Sequence, residues 1–145
     1  MKKIAAALCL ASAPAMACNQ GDITGRWNFM VQDFSCLMTF AADGKITGGN
    51  CLQMAEDPSN AGNREPIRGR LKMQADCRVT GKLNTTDREG RKIVLSFGQT
   101  RMALSRETLL GLVHVGRGPS GGLNVPGADE TITGDYERFL AVFVE

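Results

Sequence analysis

The stretch GRWNFMVQDFSCLMTFAADGKITGGNC, residues 25–51, decides the fold of this chain. Apolar and aromatic side chains recur at every second position in residues 25–31 and again in 34–42, which is the period of a β-strand. Asp-Gly at 43–44 separates two such runs and is a strong hairpin signal. Residues 45–51 then return as a third strand. The stretch therefore predicts three consecutive antiparallel strands.

The hairpin has two possible registers. A two-residue loop at 43–44 places Cys36 directly opposite Cys51. A three-residue loop with Gly44 left-handed pairs Phe40 with Ile46 instead, and a bulge at 48–49 then restores the cysteine pair. In both registers the two α-carbons can fall in the window of about 4.4–6.8 Å that a disulfide requires.

Cysteine usage supports two disulfides. Of the five cysteines, Cys9 lies in a segment that we expect to be removed, which leaves four with three possible connectivities. The hairpin geometry favours Cys36–Cys51, and Cys18–Cys77 follows by exclusion. No C-x-x-C spacing occurs, so we expect no zinc site and no other metal or cofactor.

The N-terminus has the pattern of a secretory signal peptide. Two lysines follow the first methionine, residues 4–13 are an apolar run, and 15–17 form a small-x-small cleavage site. The run is shorter than the roughly 20 residues of a transmembrane span. We therefore expect a signal peptide at 1–17 and a single periplasmic or secreted domain at 18–145.

Cys18 also has an alternative interpretation as the lipidated first residue of a lipoprotein. The tripeptide before it, Ala15-Met16-Ala17, lacks a large aliphatic residue at its first position. Lipidation would also leave one cysteine without a partner outside the cell. Two disulfides remain the preferred interpretation.

Charge excludes two classes of partner. The chain has 17 Lys and Arg against 15 Asp and Glu, and Lys2 and Lys3 of the signal account for the excess. Nucleic-acid binding and attraction to anionic lipid both need a basic surface. We therefore expect neither partner for the mature domain.

The remainder of the chain repeats the strand pattern, with no helical period of any length. Short strands and tight turns predict an all-β, antiparallel up-and-down barrel of about eight or nine strands. Breaker-rich residues 53–66 and 116–129 are predicted to be long loops, and 85–90 a turn. The further strands are predicted at 67–75, 77–84, 92–97, 101–105, 109–115 and 136–144.

Gly25-x-Trp27 at the start of the first strand, followed by a meander, resembles the calycin superfamily of lipocalins and avidins. The resemblance implies a small barrel with the tryptophan at its base. It also implies that a basic residue near the last strand packs across the tryptophan ring, for which Arg138 is the candidate.

A second resemblance is more local. Gly25-x-Trp27, Cys36 and Cys51-Leu52-Gln53 are similar to bacterial periplasmic inhibitors of serralysin-type metalloproteases, which are also calycin-like barrels with one disulfide. The resemblance implies that the mature N-terminal segment, here residues 18–22, enters the cleft of an exported protease. It is a fold-level analogy over about thirty residues.

Catalytic motifs are not convincing. Residues 118–122 match G-x-S-x-G and 116–121 match G-x-G-x-x-G, but the following 123–127 cannot begin the helix that both motifs need. His114 is the only histidine, and it lies on a strand that is apolar on both faces. We expect no catalysis.

Binding is the expected function. We rank first a small apolar or amphipathic molecule at the barrel mouth, rimmed by the two long loops. Second is a protease inhibitor or other protein-binding barrel, and third an enzyme that uses His114. The candidate ligand-binding residues are His114, Met38, Phe40 and Arg70.

Overall fold

Nine antiparallel strands form one sheet in the order β4-β3-β2-β1-β9-β8-β7-β6-β5. The computed structural model describes residues 17–31, 34–53, 64–87, 90–118 and 133–145, so residues 1–16 of the expected signal peptide lie outside them. The predicted all-β up-and-down barrel is confirmed. A 3₁₀ helix, Gln20–Ile23, precedes the strands. The strands are β1 Gly25–Val31, β2 Phe34–Phe40, β3 Ile46–Gln53, β4 Arg64–Pro66, β5 Arg68–Met73, β6 Arg78–Thr86, β7 Lys92–Met102, β8 Thr108–Arg117 and β9 Thr133–Val144.

The hairpin of β2 and β3 has the three-residue register. Phe40 pairs with Ile46, and Gly44 has a φ of 78°. Thr39 pairs with Gly48, so the extra residue is Thr47. The bulge therefore lies one residue earlier than predicted, because it forms next to the turn.

Both predicted disulfides are confirmed. Cys36 pairs directly with Cys51, and their α-carbons are 4.0 Å apart. This is below the expected window, and it is also below the distance of about 4.5 Å that is typical of the closer pairs of opposed residues in antiparallel strands. The α-carbons of Cys18 and Cys77 are 4.9 Å apart. The second bridge joins the N-terminal segment to the turn between β5 and β6.

The prediction of separate strands at 92–97 and 101–105 is wrong. Residues 92–102 form the single strand β7, which pairs with β8 along its whole length. Phe97 pairs with Val113 and Gln99 with Leu112, so Gly98 has no opposite residue on β8. Gly98 interrupts the apolar pattern but does not end the strand, because it is accommodated in a β-bulge.

The loop boundaries also need correction. Residues 64–66, assigned to the loop 53–66, form β4 because they pair with Asn50–Leu52. Thr85 and Thr86 extend β6 beyond the predicted 77–84, and β8 includes Gly116 and Arg117. The last strand, predicted at 136–144, begins at Thr133. Residues 54–63 and 119–132, which include parts of both glycine motifs, lie outside the described part of the chain.

The barrel nearly closes along a seam where the start of β3 meets β5, since Lys45 forms a β-bridge with Arg70. The side-chain amide of Gln20 bridges the edge of β5: its Nε2 donates to the Leu71 carbonyl at 3.1 Å, and its Oε1 accepts from the Met73 amide at 2.9 Å. The Leu71 amide donates to the Gly44 carbonyl across the seam. An unpaired strand edge can pair with another chain. The Gln20 side chain prevents this locally, because it pairs two backbone groups at the edge of β5.

Gln20→Ala is therefore expected to loosen the seam. Loss of two hydrogen bonds from partly buried backbone groups should lower the free energy of unfolding by about 1–3 kcal/mol. Hydrogen exchange of the Met73 amide should accelerate, while the Gln20→Glu variant, which keeps the acceptor, should retain protection there. Unchanged exchange at Met73 in Gln20→Ala would contradict the capping role.

Candidate functional site

The four candidate ligand-binding residues do not form one site. Met38 and Phe40 are buried in the barrel core. His114 is half-buried on the outer face of β8, and Arg70 is exposed on β5, where it makes an ion pair with Asp43 at 2.7 Å. The structure therefore brings together only Met38 and Phe40, and both side chains are packed in the core.

Aromatic rings occupy the middle of the barrel interior. The ring centroid of Phe139 lies 5.3 Å from that of Phe29 and 5.0 Å from that of Phe97. All three side chains are buried. A barrel of this strand number is narrow enough to be filled by its own side chains, and this part of the interior is filled in that way.

Trp27 lies at one end of the barrel, fully buried beneath the 3₁₀ helix. Its Nε1 donates to the Ile23 carbonyl at 2.8 Å, and its ring meets Phe143 edge to face, with centroids 5.6 Å apart. Gly25 leaves room for this contact, because a Cβ there would lie 2.6 Å from the Phe143 ring. The G-x-W pattern thus matches a real constellation at the barrel base.

Arg138 does not contribute to that constellation. It is exposed and pairs with Leu112, whereas Trp27 pairs with Phe143, five residues further along β9. Phe139 and Ala141 of the same strand are buried, so Arg138 points away from the core. The structure therefore does not bring Arg138 and Trp27 together.

The segment 18–22 is held against the closed end of the barrel. Cys18 is buried, bonded to Cys77, and its amide donates to the Ala75 carbonyl. Asp22 accepts from the Arg106 guanidinium at 2.5 Å. These contacts hold residues 18–22 against the barrel.

The two long loops leave the barrel at its other end. The strand ends that flank them, Gln53 with Arg64 and Arg117 with Thr133, lie at the end opposite the 3₁₀ helix, as the antiparallel order requires. The strand ends that flank both loops therefore lie at the same end of the barrel, as a common rim around its mouth requires. The loop residues themselves lie outside the described ranges.

An apolar surface lies on the outside of β1, β8 and β9. Leu110 pairs with Leu140, and Leu140 with Met30, so three exposed apolar side chains form one row across three strands. Leu112 and Val142 extend the row along β8 and β9. We call these five residues the outer apolar face; their side chains are 37–50% exposed, and the members are Met30, Leu110, Leu112, Leu140 and Val142.

Sequence reasoning missed this face, although a signal was present. Residues 109–115 are apolar at both odd and even positions, and the closing strand is similarly dense. In a one-layer barrel only one set of alternate positions can enter the core. The other set must then be exposed or covered by a partner.

A cleft borders the outer apolar face at the β7 bulge. Its volume is about 350 Å³, and His114 and Tyr136 form one wall with ring centroids 5.4 Å apart. His114 pairs with Ser96 on one side and Tyr136 on the other, so the three lie in one row. The lining residues are Ser96, Phe97, Gly98, Gln99, His114 and Tyr136.

His114 lies in this cleft beside Ser96 and Tyr136, with no acid to orient it among the lining residues. A histidine base requires an orienting acid and a nucleophile within hydrogen-bond reach. Among the residues that line the cleft there is no carboxylate. No group of three His, Cys, Asp or Glu within the described ranges could hold a metal ion.

No helix in the described part of the chain is long and apolar enough to cross a membrane. No protein-family model matches this sequence, and no curated protein matches it at a significant level. The functional assignment therefore rests on the geometry of the barrel itself.

Proposed function

We propose that this chain is an exported, calycin-like barrel without catalytic activity that binds another protein through its outer apolar face. The observation that carries the proposal is the row of Met30, Leu140 and Leu110, three neighbouring apolar side chains on the surface of a folded barrel. Contiguous exposed apolar patches on soluble domains mark interaction sites.

Two observations support the outer surface over the barrel mouth that the sequence analysis ranked first. The interior candidates Met38 and Phe40 are buried by core packing, and three phenylalanine rings fill the middle of the barrel. The outer apolar face, in contrast, needs no rearrangement to be bound. The held N-terminal segment likewise argues against inhibition through residues 18–22.

Two further features support the rest of the proposal. Two disulfides suit an oxidising compartment, in agreement with the signal-peptide pattern. The nearly closed antiparallel barrel, with Gly25-x-Trp27 beneath a 3₁₀ helix at its base, is compatible with a calycin-like fold.

Peptide display tests the proposal without a known partner. Linear peptides selected against the immobilised oxidised protein should be rich in apolar residues, and Leu140→Glu should weaken their binding by about tenfold or more, since burying a leucine side chain contributes about 1.5–3 kcal/mol. The matched control is Leu104→Glu, because Leu104 is 83% exposed in the β7–β8 turn and is not one of the five residues of the face. Failure to enrich any peptide, or equal binding by wild type and Leu140→Glu, would overturn the proposal.

Self-association is the competing occupant of the face. Sedimentation velocity of the wild-type protein should show a monomer at the concentrations used for peptide binding. A dimer that Leu140→Glu dissociates would assign the outer apolar face to a second copy of this chain and contradict the proposal.

A further inference from the structure

We infer that the partner segment carries an aromatic side chain for the cleft beside His114 and a carboxylate for Arg138. This inference rests on the proposed function, since it describes the chemistry of the protein that the outer apolar face binds. Three features carry it: the walls of the cleft, the position of the cleft next to the face, and the charge around the face.

The cleft is suited to a single ring with a polar edge. His114 and Tyr136 contribute aromatic rings, and Phe97, whose ring packs inside the barrel, also contributes to the lining. Ser96 and Gln99 add a hydroxyl and an amide that can donate or accept. Aromatic rings pack well in edge-to-face contact, and a tyrosine hydroxyl or tryptophan N–H seeks a hydrogen-bond partner.

Size and charge narrow the ligand further. Small-molecule sites usually have about 300–1,000 Å³, so about 350 Å³ holds one side chain and not a large ligand. The cleft lining includes no Asp, Glu, Lys or Arg. A neutral ring therefore fits it better than an ionised group.

The cleft and the outer apolar face are neighbours. Ser96, His114 and Tyr136 form one row across β7, β8 and β9. The adjacent row on the same surface is Gln99, Leu112 and Arg138. A segment lying on Leu112 can therefore insert one side chain into the cleft and keep the next ones on the apolar face.

Charge around the face points to an acidic partner. Arg26 and Arg138 share the outer surface of β1 and β9, and neither side chain has a hydrogen bond or ion pair among the described residues. β1 and β8 contain no Asp or Glu. On β9, Asp135 and Glu137 occupy the same set of alternate positions as buried Phe139. They therefore do not share the face of the strand that carries Arg138.

This charge distribution disfavours a second copy of the chain as the occupant. Two such faces would bring the arginines of both copies onto one interface, whereas complementary charge is what fixes the choice of partner. The occupant is therefore a different protein, whose docking segment combines apolar side chains, one aromatic anchor and a nearby carboxylate. A buried aromatic anchor is also typical of interface hot spots.

Blocked amino acids test the cleft directly by NMR titration of the oxidised, ¹⁵N-labelled protein. N-acetyltyrosinamide should shift the backbone amides of residues 96–99 and His114, with an affinity at least about threefold higher than that of N-acetylleucinamide, because an aromatic contact adds about 0.5–1.5 kcal/mol to apolar burial. His114→Ala should reduce the tyrosine affinity, and Leu104→Glu should leave it unchanged. Equal affinity for both probes, shifts elsewhere, or no shifts at the solubility limit would overturn the aromatic anchor.

A matched pair of dipeptides tests the carboxylate. N-acetyl-glutamyl-tyrosinamide should bind about two- to fivefold more tightly than N-acetyl-glutaminyl-tyrosinamide, as expected for one exposed ion pair. Arg138→Gln and added salt should each abolish the difference. A difference that survives in Arg138→Gln would overturn the assignment of that residue.

The proposed function and the aromatic anchor can be refuted separately. Equal binding of the selected peptides by wild type and Leu140→Glu refutes the proposed function, whatever the amino acid and dipeptide titrations show. Normal peptide selection with no tyrosine preference at residues 96–99 leaves the outer apolar face as a docking surface and refutes the aromatic anchor.

Discussion

Replacing Cys18 and Cys77 together with serine is expected to lower the free energy of unfolding by about 4 kcal/mol. The two cysteines are 59 residues apart, so this bridge removes more freedom from the unfolded chain than a short-range bridge does. It also holds the segment that carries Gln20 against the edge of β5. Loss of this bridge therefore gives the unfolded chain more conformational freedom and also loosens the seam of the folded barrel.

Urea denaturation of the oxidised wild type and the double serine variant measures this effect. The matched control is the Cys36→Ser/Cys51→Ser pair, whose bridge spans only 15 residues and should contribute about 3 kcal/mol. Hydrogen exchange at Met73 should accelerate only in the Cys18/Cys77 variant. A smaller loss of stability from Cys18/Cys77 than from Cys36/Cys51, with Met73 still protected, would contradict this role.

Trp27→Ala is expected to cost about 3–5 kcal/mol of folding free energy. Trp27 is fully buried, and truncation of a buried tryptophan removes its contacts and leaves a cavity. The Ile23 carbonyl also loses its donor, and Phe143 loses the ring against which it packs. The closed end of the barrel depends on this residue more than on any loop contact.

Trp27→Phe separates the contributions. It keeps an aromatic ring against Phe143 and removes the indole N–H, so it should cost about 1–3 kcal/mol, mainly through the unpaired carbonyl. Thermal and urea unfolding of both variants give the comparison. Equal costs for alanine and phenylalanine would show that the hydrogen bond, and not ring packing, dominates at Trp27.

Local patterns were sufficient to predict most of the fold. The alternation at 25–31 and the Asp-Gly turn fixed the first hairpin, because both depend on residues close in sequence. The pairing of Cys36 with Cys51 followed from that hairpin alone, and Cys18–Cys77 followed from counting. The turn register was left open between two alternatives, and the structure has the one in which Gly44 is left-handed.

Strand boundaries were harder to predict, because pairing with a neighbouring strand can override a local break. Gly98 interrupts the apolar pattern of residues 92–102, but β8 continues to pair on both sides of it. The short strand at 64–66 exists only because Asn50–Leu52 of β3 offers it partners. Neither partner can be recognised from the segment itself.

The candidate site could not be predicted for a related reason. Which alternate positions of β8 and β9 enter the core depends on the register across the whole barrel. Met38 and Phe40 looked like ligand contacts but are core residues, whereas Leu110 and Leu140 looked like core and are exposed. His114 was named as a candidate ligand-binding residue of the barrel, and the structure places it in a cleft on the outer surface.

Methyl NMR of the protein bound to a display-selected peptide tests the central claim most directly. Binding to the outer surface predicts that the methyl signals of Met30, Leu110 and Leu140 shift, while those of buried Met38 and Leu83 stay in place. Shifts confined to Met38 and other interior methyls, with the outer apolar face unchanged, would contradict the account and return the binding site to the barrel interior.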